Sequence, residues 1–266
     1  MAMDDRGVNE VIGFVLVFSL ITATVGVVSV VGFNGLQETR NAERVDNAER
    51  AFDVLADNVA DIYYEDAPTR ATEIKLADAQ LFLAPKTASS PSPTKFRVTV
   101  DNPGSANDVE TKRYPRPLIY QSKTASDSRV VYDAGATFRV DGDSAVMLRE
   151  PPLVLRENSQ SIITLVNVGG SPGSSVGGTT TALVRSEERG SETTYPTNTV
   201  GPSVSGEVTI AIQTTDARAE AWERYLEEEI SWESDACSVS SGTVDCTFET
   251  DKLYVNVVSI EFELSA

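Results

Sequence analysis

The chain has 266 residues, of which 41% are hydrophobic, so it can form at least one ordinary apolar core. Its 40 acidic and 22 basic residues give a formal net charge of −18, which would repel nucleic-acid phosphates, so we expect no nucleic-acid partner. Histidine is absent, which excludes Ser-His and Cys-His catalytic pairs and removes the commonest metal ligand.

The acidic residues are spread along the chain rather than collected in a tail, and arginine greatly outnumbers lysine among the cations. This composition is typical of proteins from halophiles, because a dispersed carboxylate surface stays hydrated when salt is concentrated. A mesophilic protein with an acidic surface is the alternative interpretation.

The first predicted element is a long apolar helix. Residues 11–37 contain no charge, and residues 11–33 read VIGFVLVFSLITATVGVVSVVGF. Because about 20 apolar residues suffice to cross a bilayer, this stretch predicts a transmembrane anchor that is retained in the mature protein. A secretory signal would have a shorter apolar stretch followed by a cleavage site. A buried helix of a soluble protein is the alternative.

Apolar residues then recur in alternating steps of three and four, with charged residues between them. This spacing predicts that the helix continues as an amphipathic segment with a heptad seam. We expect at least part of the seam to dock on the chain's own head, and neighbouring subunits or lipid to cover the lower part of the helix. The seam consists of Val45, Ala48, Phe52, Leu55, Val59 and Ile62.

The segment DDRGVNEVIG, at residues 4–13, resembles the start of archaeal type IV prepilins, above all haloarchaeal ones. In that family a basic residue followed by Gly or Ala precedes the cleavage point of a prepilin peptidase. The resemblance implies processing at Arg6 and Gly7, with Val8 as the first mature residue. It also implies that Glu10 neutralises a neighbouring subunit's new amino terminus during assembly. The alternative role of Glu10 is simply a charge at the membrane interface.

The segments RVDNAERAFDVLADNVADI and RATEIKLADAQLFL resemble a group of uncharacterised haloarchaeal exported proteins with pilin-like N termini. The resemblance implies a leader at residues 1–7, a membrane and amphipathic helix at 8–66, and an extracytoplasmic head at 67–266. We therefore expect a single-pass membrane protein with its head outside the cell. Its expected assembly residues are Glu10, Val45, Phe52, Leu55 and Val59.

The head reads as a series of short strands. Pro68 marks the exit from the helix, and the segments that follow are rich in β-branched and aromatic residues between Gly, Pro, Asp and Ser. The fold class is therefore α+β, with a mainly antiparallel, β-sandwich-like head. The predicted strands are 71–83, 95–101, 117–121, 129–132, 137–140, 145–149, 161–168, 180–186, 207–214, 244–249 and 253–264. Residues 87–93 and 169–179 are expected to be surface loops.

One additional helix is expected after Asp216, its predicted N-cap. Apolar residues at helical spacing predict the buried face, formed by Ala217, Ala221, Trp222, Tyr225, Leu226 and Ile230. Glu227, Glu228 and Glu229 point around the helix, so we expect a solvated surface there, with a metal site as the alternative.

Cys237 and Cys246 are the only cysteines and bound a hairpin-sized segment that contains Gly. In an exported protein they are expected to form a disulfide.

The sequence contains no motif of an enzyme class, so we expect neither catalysis nor a cofactor. A hydrolase with a carboxylate pair is the alternative. The expected function is a pilin-like, membrane-anchored surface subunit, a minor or accessory component of a type IV pilus-like system. Its expected partners are membrane lipid, the prepilin peptidase and other pilin-like subunits. The alternative function is a single-pass cell-envelope binding protein that does not assemble.

Overall fold

The computed structural model describes residues 5–85, 94–101, 108–123, 128–170 and 174–266. Within these ranges, the side chains of residues 5–10, 31 and 33–38 are not described. Two units are distinguished: residues 1–44, and a compact unit, Val45–Ala266, called the head unit below. The head unit therefore begins inside the first helix, and not at residue 67 as the sequence predicted, because the helix contributes to the head's core from Val45 onwards.

Helix α1, Asp5–Glu65, is continuous from the first described residue to the start of the sheets. It ends because Asp66 adopts a left-handed conformation (φ 54°) and the amide of Ala67 donates to the carbonyl of Asp61 at 3.3 Å. Pro68, which lacks a backbone donor, follows directly. The predicted helix exit before Pro68 is confirmed.

The strands of the head unit follow in chain order. They are β1 Thr69–Lys75, β2 Ala79–Leu83, β3 Lys95–Val100, β4 Val109–Arg113, β5 Leu118–Ser122, β6 Ser128–Asp133, β7 Ala136–Asp141, β8 Ser144–Arg149, β9 Leu153–Val154, β10 Gln160–Gly170, β11 Ser175–Gly178, β12 Thr181–Tyr195, β13 Val208–Gln213, β14 Cys237–Ser240, β15 Thr243–Phe248 and β16 Lys252–Ser265. Helix α2, Asp216–Glu229, lies between β13 and β14.

These strands form three sheets. Sheet A has the order β1-β12-β16-β10-β9, sheet B the order β11-β2-β5-β6-β7-β8, and sheet C the order β14-β15-β13-β3-β4. Among the described strands, β10 and β16 form the only parallel pair, with Ser161 opposite Leu253 and Phe262 opposite Gly170. The predicted α+β class with a mainly antiparallel head is confirmed.

Two apolar clusters hold the sheets together. The first, the α2 cluster, joins helix α2 to all three sheets and includes Phe96, Phe138 and Trp222. The second, the α1 cluster, joins the second half of α1 to sheets A and B and includes Phe52, Tyr120 and Phe262. Strand β16 contributes to both, because its successive side chains point to opposite faces and the buried face changes along its length. Leu253, Val255 and Val257 belong to the α2 cluster, and Val258, Ile260 and Phe262 to the α1 cluster.

Several strand predictions need correction. The predicted strand 71–83 is two strands, since Asp78 has a positive φ of 59° and turns the chain between β1 and β2. The predicted loop 169–179 includes the end of β10 and all of β11, which pairs with β2 despite its glycines. Strands β4, β9 and β14 were not predicted, and β12 continues to Tyr195, well beyond residue 186. The predicted loop 87–93 lies outside the described residues.

Helix α2 has the predicted buried face, with Ala217, Ala221, Trp222, Tyr225, Leu226 and Ile230 all buried. Its N-cap is Thr215 rather than Asp216, and the Thr215 side chain makes no capping hydrogen bond. Packing against sheets B and C therefore fixes this helix more than capping does.

Truncation of Phe52 tests the burial of α1 in the head unit. Phe52 is fully buried, so Phe52→Ala is expected to lower the free energy of unfolding by about 3–5 kcal/mol through lost burial and a residual cavity. Val54 lies on the same helix but is 53% exposed, so Val54→Ala should change it by less than about 0.5 kcal/mol. Chemical denaturation of the full-length protein measures both, and equal effects would contradict the burial.

Candidate membrane-spanning helix and its docking in the head

The N-terminal part of α1 contains a stretch, Val11–Val30, that is long and apolar enough to cross a membrane. Its mean hydropathy is 2.6, and none of it is buried within the structure. The hydroxyls of Thr22 and Thr24 donate to the carbonyls of Phe18 and Leu20 at 2.8 and 2.9 Å, so these polar groups are satisfied inside the helix. A signal sequence has the same general character near an N terminus, so length and composition establish only the capacity to span.

The predicted processing residues Arg6, Gly7 and Val8 lie in the first turns of α1, as does Glu10. Their side chains are outside the described part of the chain, and so are residues 1–4 of the expected leader. The processing role of Arg6, Gly7 and Val8 and the assembly role of Glu10 therefore stay predictions.

The seam residues expected to bind neighbouring subunits are core residues of the head unit. Val45 is 2% exposed, and Phe52, Leu55 and Val59 are fully buried. They pack against side chains of sheets A and B in the α1 cluster. The predicted assembly role of these four residues is thus wrong, because the chain's own sheets already cover them. Docking on the head, expected for part of the seam, describes the whole of it.

Ion pairs add to this docking at the surface. Arg149 of β8 binds Asp53 and Asp57 of α1, at 3.3 and 2.5 Å. Arg139 of β7 binds Glu49 of α1 at 3.0 Å. Burial alone would lower the pKa of Arg149, but the hydrogen bonds and charges of the two aspartates outweigh it and raise the pKa. Since these side chains are partly exposed, each pair contributes about 0.2–1 kcal/mol and weakens as salt rises.

A buried ion pair connects α2 to sheet B. Arg218 of α2 and Asp133, the last residue of β6, are 3% and 0% exposed, and their charged atoms are 2.6 Å apart. The hydroxyl of Thr94 donates to the same carboxylate oxygen, and the Arg218 Nε donates to Thr215 at 3.2 Å. Burial raises the pKa of Asp133, although Arg218 and Thr94 oppose the shift. Because both charges are shielded from solvent, no substrate can reach them, and their role is to position α2.

A disulfide closes the hairpin of β14 and β15, as predicted. Cys237 and Cys246 are directly opposite each other in the strand register, and their sulfurs are 2.05 Å apart. Cys246 is buried in the α2 cluster, so the bond ties the edge strand β14 to the core. A loop of this size adds about 2–3 kcal/mol in the chain-entropy account of crosslinks.

The acidic residues of α2 form no arrangement suited to a metal. Across the part of the chain that the structure describes, no group of three or more Asp, Glu, Cys or His side chains could hold a metal ion. Burial raises the pKa of Glu229, and the nearby charges of Glu150 and Glu228 raise it further, so these carboxylates repel one another without a shared focus.

A family model described as "Family of unknown function (DUF7289)" matches residues 6–263. The chain belongs to this family. The match extends over α1 and all three sheets. No curated protein and no solved structure matches the chain.

Sequence reasoning missed the Asp133–Arg218 pair. Asp133 ends a strand and Arg218 begins a helix 85 residues later, and no local pattern connects them. Arg218 is also buried on α2, although the spacing of the apolar residues predicts only apolar side chains on the buried face. Only the tertiary fold brings the two charges together.

The buried pair generates a prediction about stability. Asp133→Ala leaves the Arg218 charge buried without its partner and should lower the free energy of unfolding by about 3–5 kcal/mol. Adding Arg218→Met should then cost less than the sum of the two single changes, because the orphaned charge is gone. The partly exposed Arg70–Asp61 pair is the control: Arg70→Met should cost about 1 kcal/mol or less. Additive effects at Asp133 and Arg218, measured by denaturation, would contradict the coupling.

Proposed function

We propose that this protein is a pilin-like, membrane-anchored subunit of the cell surface and an accessory component of a type IV pilus-like system. The observation that carries the proposal is α1 itself, a single helix with a fully exposed apolar stretch, Val11–Val30, and a second half built into the head's core. The prepilin-like segment DDRGVNEVIG, which precedes that stretch and overlaps its first residues, supports the same proposal.

The exposed aliphatic side chains of Val11–Val30 need a cover other than water. Val11, Phe14, Leu16 and Leu20 are each more than 60% exposed, and apolar area left in water costs about 25 cal/mol per Å². Lipid provides that cover when the chain is in a membrane, and equivalent helices of other copies provide it in a filament. Since the seam is buried in the head unit, residues before Val45 supply the assembly surface in this proposal.

The proposed location of the head is outside the cell, in an archaeon of saline habitat. A disulfide in a chain with only two cysteines supports an oxidising compartment. The net charge of −18, dispersed over the surface, supports a concentrated salt solution as solvent. The size of the head unit, Val45–Ala266, favours an accessory subunit over a bulk filament subunit. We propose no catalytic role.

The second candidate is a single-pass envelope protein that binds a ligand through its head and never assembles. Burial of the whole seam favours it, since the helix then offers fewer residues for contacts between subunits. Its anchor would need no prepilin peptidase, which makes processing the distinguishing property.

Processing is tested by the N-terminal sequence of the protein extracted from native membranes, determined by mass spectrometry. The proposal predicts a mature chain that begins at Val8. A Gly7→Val variant should retain the leader, because the peptidase needs a small residue at that position in the family that the segment resembles. Val31→Ala, which leaves the segment intact, is the control and should be processed normally. A wild-type chain that keeps Met1 or Ala2 would favour the non-assembling anchor.

Membrane anchoring is tested by a charge in the middle of the apolar stretch. Leu20→Arg should lower the membrane-bound fraction, because an arginine at the centre of a spanning helix costs about 2.5–3.5 kcal/mol. Leu20→Ile is the matched control and should leave the fraction unchanged. Membrane flotation of the wild type and both variants provides the measurement. Recovery of the wild type in the soluble fraction would contradict anchoring.

A further inference from the structure

A cleft lies where the end of α1 meets sheet A. Its volume is about 230 Å³. Tyr63 of α1 forms one wall, and the other lining side chains come from three neighbouring strands of sheet A. The lining residues of these strands are Thr164 of β10, Ser191, Glu192 and Thr193 of β12, and Asn256 and Val258 of β16.

The floor of the cleft is a polar row across adjacent strands. Asn256 is opposite Thr164 on one side and Thr193 on the other. Three neighbouring strands span about 10 Å, which matches the width of a small polar ring with its substituents. This row lies on the same face of β16 as Val258 and Ile260, but beyond the part that α1 covers. Asn256 and Thr164 are therefore half-buried rather than buried.

The hydrogen bonds of the row leave donors and acceptors for a ligand. Thr193 donates its hydroxyl to the Oδ1 of Asn256 at 2.8 Å, which orients the amide and leaves both protons of its Nδ2 to donate. Among the described residues, the hydroxyls of Thr164 and Ser191 have no hydrogen-bond partner. The cleft thus offers one amide and two hydroxyls on a sheet whose backbone is fixed by its own ladder.

Glu192 is the one lining residue with a charged side chain, and that side chain is directed away from the cleft. Glu192 is opposite Val257, so its side chain points to the other face of the sheet, where it pairs with Arg113. Burial, followed by the neighbouring Tyr64, raises the pKa of Tyr63 to about 12, so its phenol stays neutral. Because no cation and no carboxylate among the lining side chains is directed into the cleft, it favours an uncharged ligand.

Tyr63 adds an aromatic wall to this uncharged polar floor. Its ring contacts the ring of Tyr64 edge to face, with 4.5 Å between centroids, so its orientation is restricted. An aromatic wall covers an apolar ligand face, and convergent amide and hydroxyl groups bind a polar edge. Sugar rings combine those two surfaces: C–H groups on the ring face and hydroxyls around the edge. The volume, below the roughly 300–1,000 Å³ of clefts for drug-sized molecules, fits one ring.

We propose that this cleft binds a neutral saccharide, with one sugar ring against Tyr63 and its hydroxyls bound by Asn256 and Thr164. A surface glycan or a free polysaccharide chain would each present such a ring. The site is independent of membrane anchoring and of assembly, so the proposal does not rest on the function proposed above.

The test uses the full-length protein in phospholipid nanodiscs, which contain no sugar detergent. Glucose, galactose, mannose and N-acetylglucosamine are titrated separately, and binding is followed by saturation-transfer NMR. Glucuronate serves as the charged comparison. At least one neutral sugar should bind saturably, and glucuronate should bind more weakly than glucose. Binding by none of the neutral sugars, or tighter binding by glucuronate, would overturn the proposal.

Variants locate the binding in the cleft. Asn256→Ala and Thr164→Val each remove a hydrogen-bonding group and should weaken binding about tenfold. Asn167→Ala is the matched control, because Asn167 lies on β10 but points to the opposite face of sheet A from Thr164. It should leave the affinity unchanged. Thermal unfolding of each variant verifies that the head remains folded. An equal loss in Asn167→Ala, or no loss in the two cleft variants, would contradict binding at this site.

Discussion

Burial of the second half of α1 between sheets A and B is the constraint on which the structure depends. The apolar residues from Val45 to Ile62 supply one side of the α1 cluster, and residues of sheets A and B supply the other. Strand β16 connects the α1 cluster to the α2 cluster, because it contributes buried side chains to both. For this reason the second half of α1, the three sheets and α2 belong to one compact unit, Val45–Ala266.

Because of this burial, the two halves of α1 have different surroundings. From Val45 onwards its apolar face is used by the head, and ion pairs from Arg139 and Arg149 neutralise part of its acidic face. Before that point, the stretch Val11–Val30 is exposed and predominantly apolar. A helix with these two properties is suited to connect a lipid or filament environment to a folded surface domain. The end of the same helix, at Tyr63, borders the saccharide cleft.

The sequence was sufficient to predict an element where a single physical effect decides its structure. The uncharged run at residues 11–37 identified the apolar helix, Pro68 its exit, and the spacing of Trp222, Tyr225 and Leu226 the buried face of α2. The same periodicity identified the seam at Val45–Ile62 but not its partner, because an apolar stripe has the same pattern whether it meets its own sheets or another subunit. Strand β11 was missed because its glycines indicate a loop, whereas pairing with β2 decides its conformation. The Asp133–Arg218 pair and the polar row at Asn256 are formed by residues far apart in the chain. No local sequence pattern predicts that these residues meet.

Site-specific photo-crosslinking in native membranes tests the central claim most directly. A photoreactive residue is placed at Val25, in the apolar stretch, or at Phe52, in the seam, and crosslinked products are separated by size. The account predicts crosslinks between copies from Val25, and crosslinks only within the chain from Phe52, since the head covers that side chain completely. Crosslinks between copies from Phe52, or their absence from Val25, would contradict the assignment of assembly to the apolar stretch and of the seam to the head.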